Sequence, residues 1–133
     1  MTYALDTNII IDFLNKEEFV VDQFDSAAKS GISMVIPSII DYEILRGFYH
    51  TPKPRKEPVY NNMRLSCPVI NVNAIIWDCA AQNWAKLRKA GRTIGDADIL
   101  IAAICIVNGY TLVTHNVKHF EGIDELQFID WVK

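Results

Sequence analysis

The chain is poor in the residues and motifs that mark several common function classes, and each shortage closes one of them. It has three cysteines, Cys67, Cys79 and Cys105. An odd number with no C-x-x-C spacing argues against a disulfide framework and against a thiolate zinc site. Cys79 and Cys105 fall within helical apolar patterns and read as small core residues. No apolar run approaches the ~18 residues of a membrane span. The opening Met1 to Asp6 lacks the basic-then-apolar layout of a signal peptide, so a cytoplasmic location, away from any membrane, is expected. No G-x-G-x-x-G or Walker loop occurs, which removes the usual nucleotide cradles.

What is present suits one compact domain spanning residues 1–133. The chain is 50% hydrophobic and long enough for a real core. Its net charge is −3, but from Arg46 to Arg92 nine cations face two anions, a net +7 that leaves −10 for the rest. A basic middle between acidic flanks can attract a polyanion locally while the whole stays acidic. A solvated helix face explains such a run equally well.

Along the chain, short apolar runs alternate with helical patterns. Tyr3-Ala4-Leu5 reads as a buried strand ending at the polar corner Asp6-Thr7-Asn8, and a helix starts at Ile9. Residues 18–30 read as helix, ended by Gly31. Ile32 to Ile36 is a second strand, and a helix opens at Pro37, where Ser38 and Asp41 resemble a capping box. Within it Glu43 lies near the apolar side formed by Ile39, Ile40 and Ile44, with Arg46 available as an ordinary ion-pair partner. Gly47 signals close backbone approach or the end of regular helix. Thr51 to Pro58 is the one loop-like stretch, with three prolines and three cations: either an exposed connection or a basic lid.

A third strand, Pro68 to Val72, precedes a long helix capped by Asn73 and running to about Ala90, with Ile76, Ala80, Trp84 and Leu87 on one side. Ile99 to Val107 contains nothing polar and reads as a helix buried on most of its circumference, with Gly109 past its end. Its head carries Asp96 and Asp98, of which either can cap it. Thr111 to Thr114 and Gln127 to Ile129 supply a fourth and a fifth strand. Alternating strands and helices predict a layered α/β fold with a mostly parallel sheet of four to five strands.

Three carboxylates then stand in comparable places: Asp6 after the first strand, Glu43 in the helix after the second, and Asp98 at the head of the helix before the fourth. Gathered at one sheet end, they repel one another unless a cation neutralises them. Oxygen-only ligands suit Mg²⁺ or Mn²⁺. Such ions promote in-line displacement at phosphorus, which points to metal-dependent phosphodiester cleavage.

Leu5-Asp6-Thr7-Asn8, Glu43-x-x-x-Gly47, Asp98-x-x-Ile101-Ala102-Ala103 and Thr114-His115-Asn116-x-x-x-Phe120 occur in that order across nearly the whole chain. The set resembles a PIN-domain ribonuclease of the VapC toxin type. That resemblance implies a three-layer fold with helices on both faces of a parallel sheet, a homodimer, a divalent-metal site, an RNA substrate and a VapB-like antitoxin. It implies Asp6, Glu43 and Asp98 as acidic ligands, Asn116 at the fourth position, and Asn8 and Thr7 as supporting polar residues beside Thr114. Asp98 has the matching spacing, so Asp96 is expected to cap the helix or at most to serve an outer shell or a second metal. His115 stands where such toxins commonly carry Arg, and Asn116 is neutral, leaving three charges for the metal. Lys53, Arg55 and Lys56, with Arg46 and His115, are the candidate RNA contacts.

Competing readings are a phosphatase of the haloacid dehalogenase type, opposed by Asn8 in place of a second acid and by the short chain, and a catalytically silent dimerisation or regulatory domain. A non-toxin RNA-processing nuclease would carry the same site.

Overall fold

A computed structural model describes residues 1–132. The elements are β1 (Thr2–Leu5), α1 (Thr7–Leu14), α2 (Glu18–Lys29), β2 (Ser33–Pro37), α3 (Ser38–His50), α4 (Glu57–Ser66), β3 (Val69–Ile70), α5 (Ala74–Lys89), α6 (Asp96–Asn108), β4 (Thr111–Val113), α7 (Val117–Phe120) and β5 (Gln127–Ile129). The five strands form one sheet in the order β3-β2-β1-β4-β5, every pair parallel. Ala4, Leu5, Ile36, Leu112 and Val113 are completely buried. Strands of an all-parallel sheet are covered on both faces, and these read as continuous apolar runs for that reason.

The order reverses between β1 and β4, which are neighbours although six helices and two strands separate them in the chain. At such a switch point the connections leave the sheet in opposite directions and open a crevice beyond the carboxyl ends of the strands. Leu5 pairs with Val113 in register, so Asp6 and Thr114 are the next residues out on adjacent strands. The amides of both continue the ladder for one more bond, Asp6 to the Val113 carbonyl and Thr114 to that of Ile129, each at 3.0 Å.

Helix α6 is the central pillar. Ile101 to Cys105 are buried without a break, and α6 packs against α5 more extensively than any other helix pair. Gly109 ends it at φ +71°, a left-handed cap that glycine adopts without strain. Asn73 caps α5 as expected, its side chain accepting from the Ile76 amide at 3.0 Å.

Several local expectations fail. Pro37, not Ser38, holds the cap position of α3, and no side chain caps that helix. Asp41 instead accepts from the Tyr60 hydroxyl at 2.7 Å and pairs with Arg64 at 3.1 Å, tying α3 to α4. Gly47 neither ends α3 nor meets close backbone: the helix continues to His50, and a Cβ at 47 would touch nothing within 4 Å. The irregular segment is shorter than Thr51 to Pro58, because α4 starts at Glu57 with Pro58 in its first turn, where a missing N–H costs nothing. Trp84 lies on the inward side of α5 by pattern yet is 40% exposed. With Trp77, Ala80, Ala81, Ile99 and Leu100 it lines an open apolar groove of about 470 Å³ between α5 and α6.

Candidate active site

Asp6 is both a helix cap and the buried centre of the site. It occupies the cap position of α1, with Oδ1 accepting from the Thr7 amide at 2.8 Å, while Oδ2 accepts from the Thr114 hydroxyl at 2.6 Å. Its side chain sits at the end of β1 with 6% of the residue exposed. Burial pushes its pKa up; the bonds from Thr114 and Thr7 pull against that, and the negative charge of Asp98 raises it again. A carboxylate placed so is costly to ionise, and a nearby cation relieves the cost.

The neighbouring residues lock the corner. The Thr7 hydroxyl donates to Glu43 Oε2 at 2.9 Å, bridging α1 to α3. Glu43 therefore pairs with Thr7 and not with Arg46, whose guanidinium lies 5.1 Å from the centre of the Tyr42 ring. Asn8 Oδ1 accepts from the His115 amide at 3.1 Å, and Thr114 Oγ1 accepts from the Asn116 amide at 3.0 Å. Asn116 itself is exposed at the start of α7, its side chain making no capping bond there. Asp98 lies in the first turn of α6 and its Oδ2 is 3.2 Å from His119 Nδ1.

Asp96 is not the cap of α6; Gly95 is, and no side chain bonds the free amides there. Asp96 is exposed on the side of the apolar groove, away from Asp98. Two positions on a helix differ by about 200° in direction, which separates them. His115 is held on both ring nitrogens, Nδ1 at 2.5 Å from Asp130 Oδ1 and Nε2 at 2.9 Å from Asp12 Oδ2. Asp12 is thus a clasp partner and not simply a solvated helix face. Among the cations expected to meet RNA, Lys53 and Lys56 line a cleft of about 240 Å³ beside Glu43, and Lys56 Nζ donates to Asn15 Oδ1 at 2.5 Å. Arg46 and Arg55 are exposed, and neither lines that cleft.

His119 was not anticipated. It falls at an unspecified place in the last motif, three residues after Asn116, and only the fold of α7 against α6 sets it on Asp98. Asp130 was missed as well, because nothing near it in sequence signals a partner.

Among the described residues, no three His, Cys, Asp or Glu side chains close on one point tightly enough to cage an ion unaided. Magnesium does not need a cage: it keeps several waters and takes one or two carboxylates with substrate phosphates. The electrostatically coupled Asp6 and Asp98, oxygen-only and backed by Glu43 through Thr7, fit such an ion.

A doubly covered parallel sheet with acids at its switch point defines a class, and the PIN domain family model matches residues 3–126 of this chain. The chain belongs to the PIN-domain family. Over its full length and the full length of the relative it is 33% identical to Ribonuclease VapC1 of Haemophilus influenzae strain R2866, and it belongs with the VapC ribonucleases. It is 29% identical to the tRNA(fMet)-specific endonuclease VapC of Shigella flexneri, covering 98% of each. The crystal structure of VapBC2 from Rickettsia felis, bound to a DNA fragment from its promoter, superimposes with a TM-score of 0.90 at 28% identity, covering 99% of this chain and 100% of that one.

Proposed function

We propose that the chain is a divalent-metal-dependent endoribonuclease, the toxin of a VapBC-type pair, acting as a homodimer in the cytoplasm and inhibited by a VapB-like antitoxin. The observation that carries the chemistry is the buried Asp6, held in an ionisation-resistant setting and coupled to Asp98. Asp6, Asp98 and Glu43 would hold Mg²⁺ or Mn²⁺. When bound, such an ion supplies polarisation of the phosphoryl group and a water acidic enough to attack at neutral pH.

The rest of the chemistry belongs to the protein. Thr114 and the Thr7 amide fix both oxygens of Asp6, so the carboxylate needs no reorganisation to meet charge. Thr7 sets the orientation of Glu43, and His119 that of Asp98. Lys53 and Lys56 place positive charge beside Glu43, where an RNA strand can pass; Arg55 and Arg46 extend that surface. The exposed apolar groove with Trp77 and Trp84 supports the homodimer, since a patch of this kind marks an interaction surface.

The test is purified, metal-stripped protein with bulk tRNA and rRNA. Cleavage on adding Mg²⁺ or Mn²⁺, lost in Asp6→Asn, is expected. Intact RNA with either ion, together with unaltered Mn²⁺ binding in Asp6→Asn, defeats the reading.

A further inference from the structure

Glu43 and Asp98 open onto different clefts, and the lysines beside Glu43 already have a role. On the Asp98 side, between the segment that leads into α6 and helix α7, lies a cleft of about 220 Å³ lined by Arg92, Thr93, Ile94, Gly95, Asp98, Lys118 and His119. We propose that this cleft is a phosphate subsite, in which Arg92 and Lys118 hold the RNA backbone one step away from the cleaved bond. The proposal rests on the ribonuclease reading above.

Five observations carry it. Arg92 and Lys118 are exposed and, among the described residues, neither enters an ion pair. Their charges are therefore available to a ligand, whereas Lys56 on the other side is engaged by Asn15. The only carboxylate lining the cleft is Asp98, whose Oδ2 lies 3.2 Å from His119 Nδ1.

The guanidinium of Arg92 also has a close neighbour. It lies against Gly122 so closely that a Cβ there would fall 1.5 Å from Nη1 and 2.2 Å from Cζ. The missing side chain at 122 is what admits it. Gly122 has no left-handed φ to require glycine, so close approach of Arg92 is the use the structure makes of that residue. A planar guanidinium at this place suits a phosphate, which it can grip through two N–H groups.

Size and position choose the ligand. Pockets that enclose a whole small molecule run to roughly 300–1,000 Å³, so 220 Å³ suits one group of a longer ligand. The cleft shares Asp98 with the site, and a strand whose scissile phosphate sits at Asp6 and Asp98 carries its next phosphate within reach. The uncapped amides at the head of α6 add partial positive charge to the same wall.

The experiment measures binding of bulk tRNA to an Asp6→Asn background, where the strand is not cut, as NaCl is varied. Each phosphate contact contributes about 0.7 to 0.9 to the slope of log K against log salt, so Arg92→Ala with Lys118→Ala should flatten it by roughly 1.5. Gly122→Ala keeps every charge but displaces the guanidinium, and should weaken binding with Tm and Mn²⁺ affinity unchanged. An unaltered slope in the double variant, with tRNA still bound, overturns the subsite and leaves the ribonuclease reading standing. Failure of the parent to bind tRNA, and of wild type to cleave it, removes both. Loss of antitoxin binding alone, with tRNA binding intact, overturns the subsite in favour of a protein contact.

Discussion

The two clefts beside the acids differ in how they are made. On the Glu43 side the walls are α1 and α3, and the floor is the apolar set Ile11, Leu14, Ile44 and Phe48, with Thr7 and the lysines at the rim. On the Asp98 side the walls are a short connection and a four-residue helix, and the lining, Ile94 apart, is charged and polar. Long amphipathic helices pack by apolar faces and leave apolar surface wherever they diverge. A loop and a single turn have few such residues to offer and present backbone and charged side chains instead. Glu43 thus opens onto an apolar cleft rimmed by lysines, and Asp98 onto a polar one.

The strongest way to break this contrast is at the acids themselves. Asp98→Asn is expected to lower RNA cleavage at least ~100-fold, since the loss of several kcal/mol of charge stabilisation is at stake and each 1.36 kcal/mol is tenfold. Asp96→Asn should change the rate by less than about twofold and cost only the roughly 0.3–1 kcal/mol of a charge at a helix head. Equal losses of rate, with both variants folded, would erase the distinction between the two aspartates.

Thr7→Val tests whether Glu43 belongs to the site through its hydroxyl partner. A drop of about 10- to 100-fold in Mn²⁺ affinity or rate is the size expected for a lost supporting bond; an unchanged titration would detach Glu43 from the metal. Asp6→Asn sharpens the cost side. A carboxyl whose folded pKa is raised binds a proton on folding, so its ionisation destabilises the fold as pH rises above the unfolded value near 3.8. The metal-free variant should therefore melt higher than wild type at pH 7, with added Mn²⁺ raising the Tm of wild type alone.

His115 gives a smaller and pH-dependent effect. Burial lowers its pKa, but the bonds and charges of Asp130 and Asp12 outweigh that and leave it above the ordinary 6.5. The clasp is at full strength below pH 6.5 and fades as pH rises through the raised folded value. His115→Ala should cost about 0.5–1 kcal/mol at pH 6, and less at pH 9, in paired thermal melts. Gly47→Ala is the mildest change. It has room for its Cβ and should stabilise α3 by up to about 1 kcal/mol. Retained stability with impaired RNA or antitoxin binding would show that the space over Gly47 is used.

Much of this arrangement was legible in the residues. The fifth strand at Gln127–Ile129 and the cap at Asn73 match the local reading, because each depends on a few neighbouring side chains. Asp6 and Asp98 were found as acids at the ends of apolar runs, where the environment of a polar group is predictable. What escaped were contacts between distant positions: Thr7 with Glu43 across 36 residues, His119 with Asp98 across 21, His115 with Asp12 across 103. The same blindness produced the error at Asp41, given a local capping role when its partners, Tyr60 and Arg64, lie on another helix.

Periodicity and composition by themselves determined that this chain alternates strand and helix around an apolar α6 with an acidic head, since those features follow from the spacing of apolar side chains. Only the tertiary structure decided that Asp96 turns to the apolar groove, that His119 stands on Asp98, and that Arg92 lines a cleft beside Asp98 while lying against Gly122. Direction around a helix and the approach of separate loops are set by the packing of whole elements, and no local pattern encodes them.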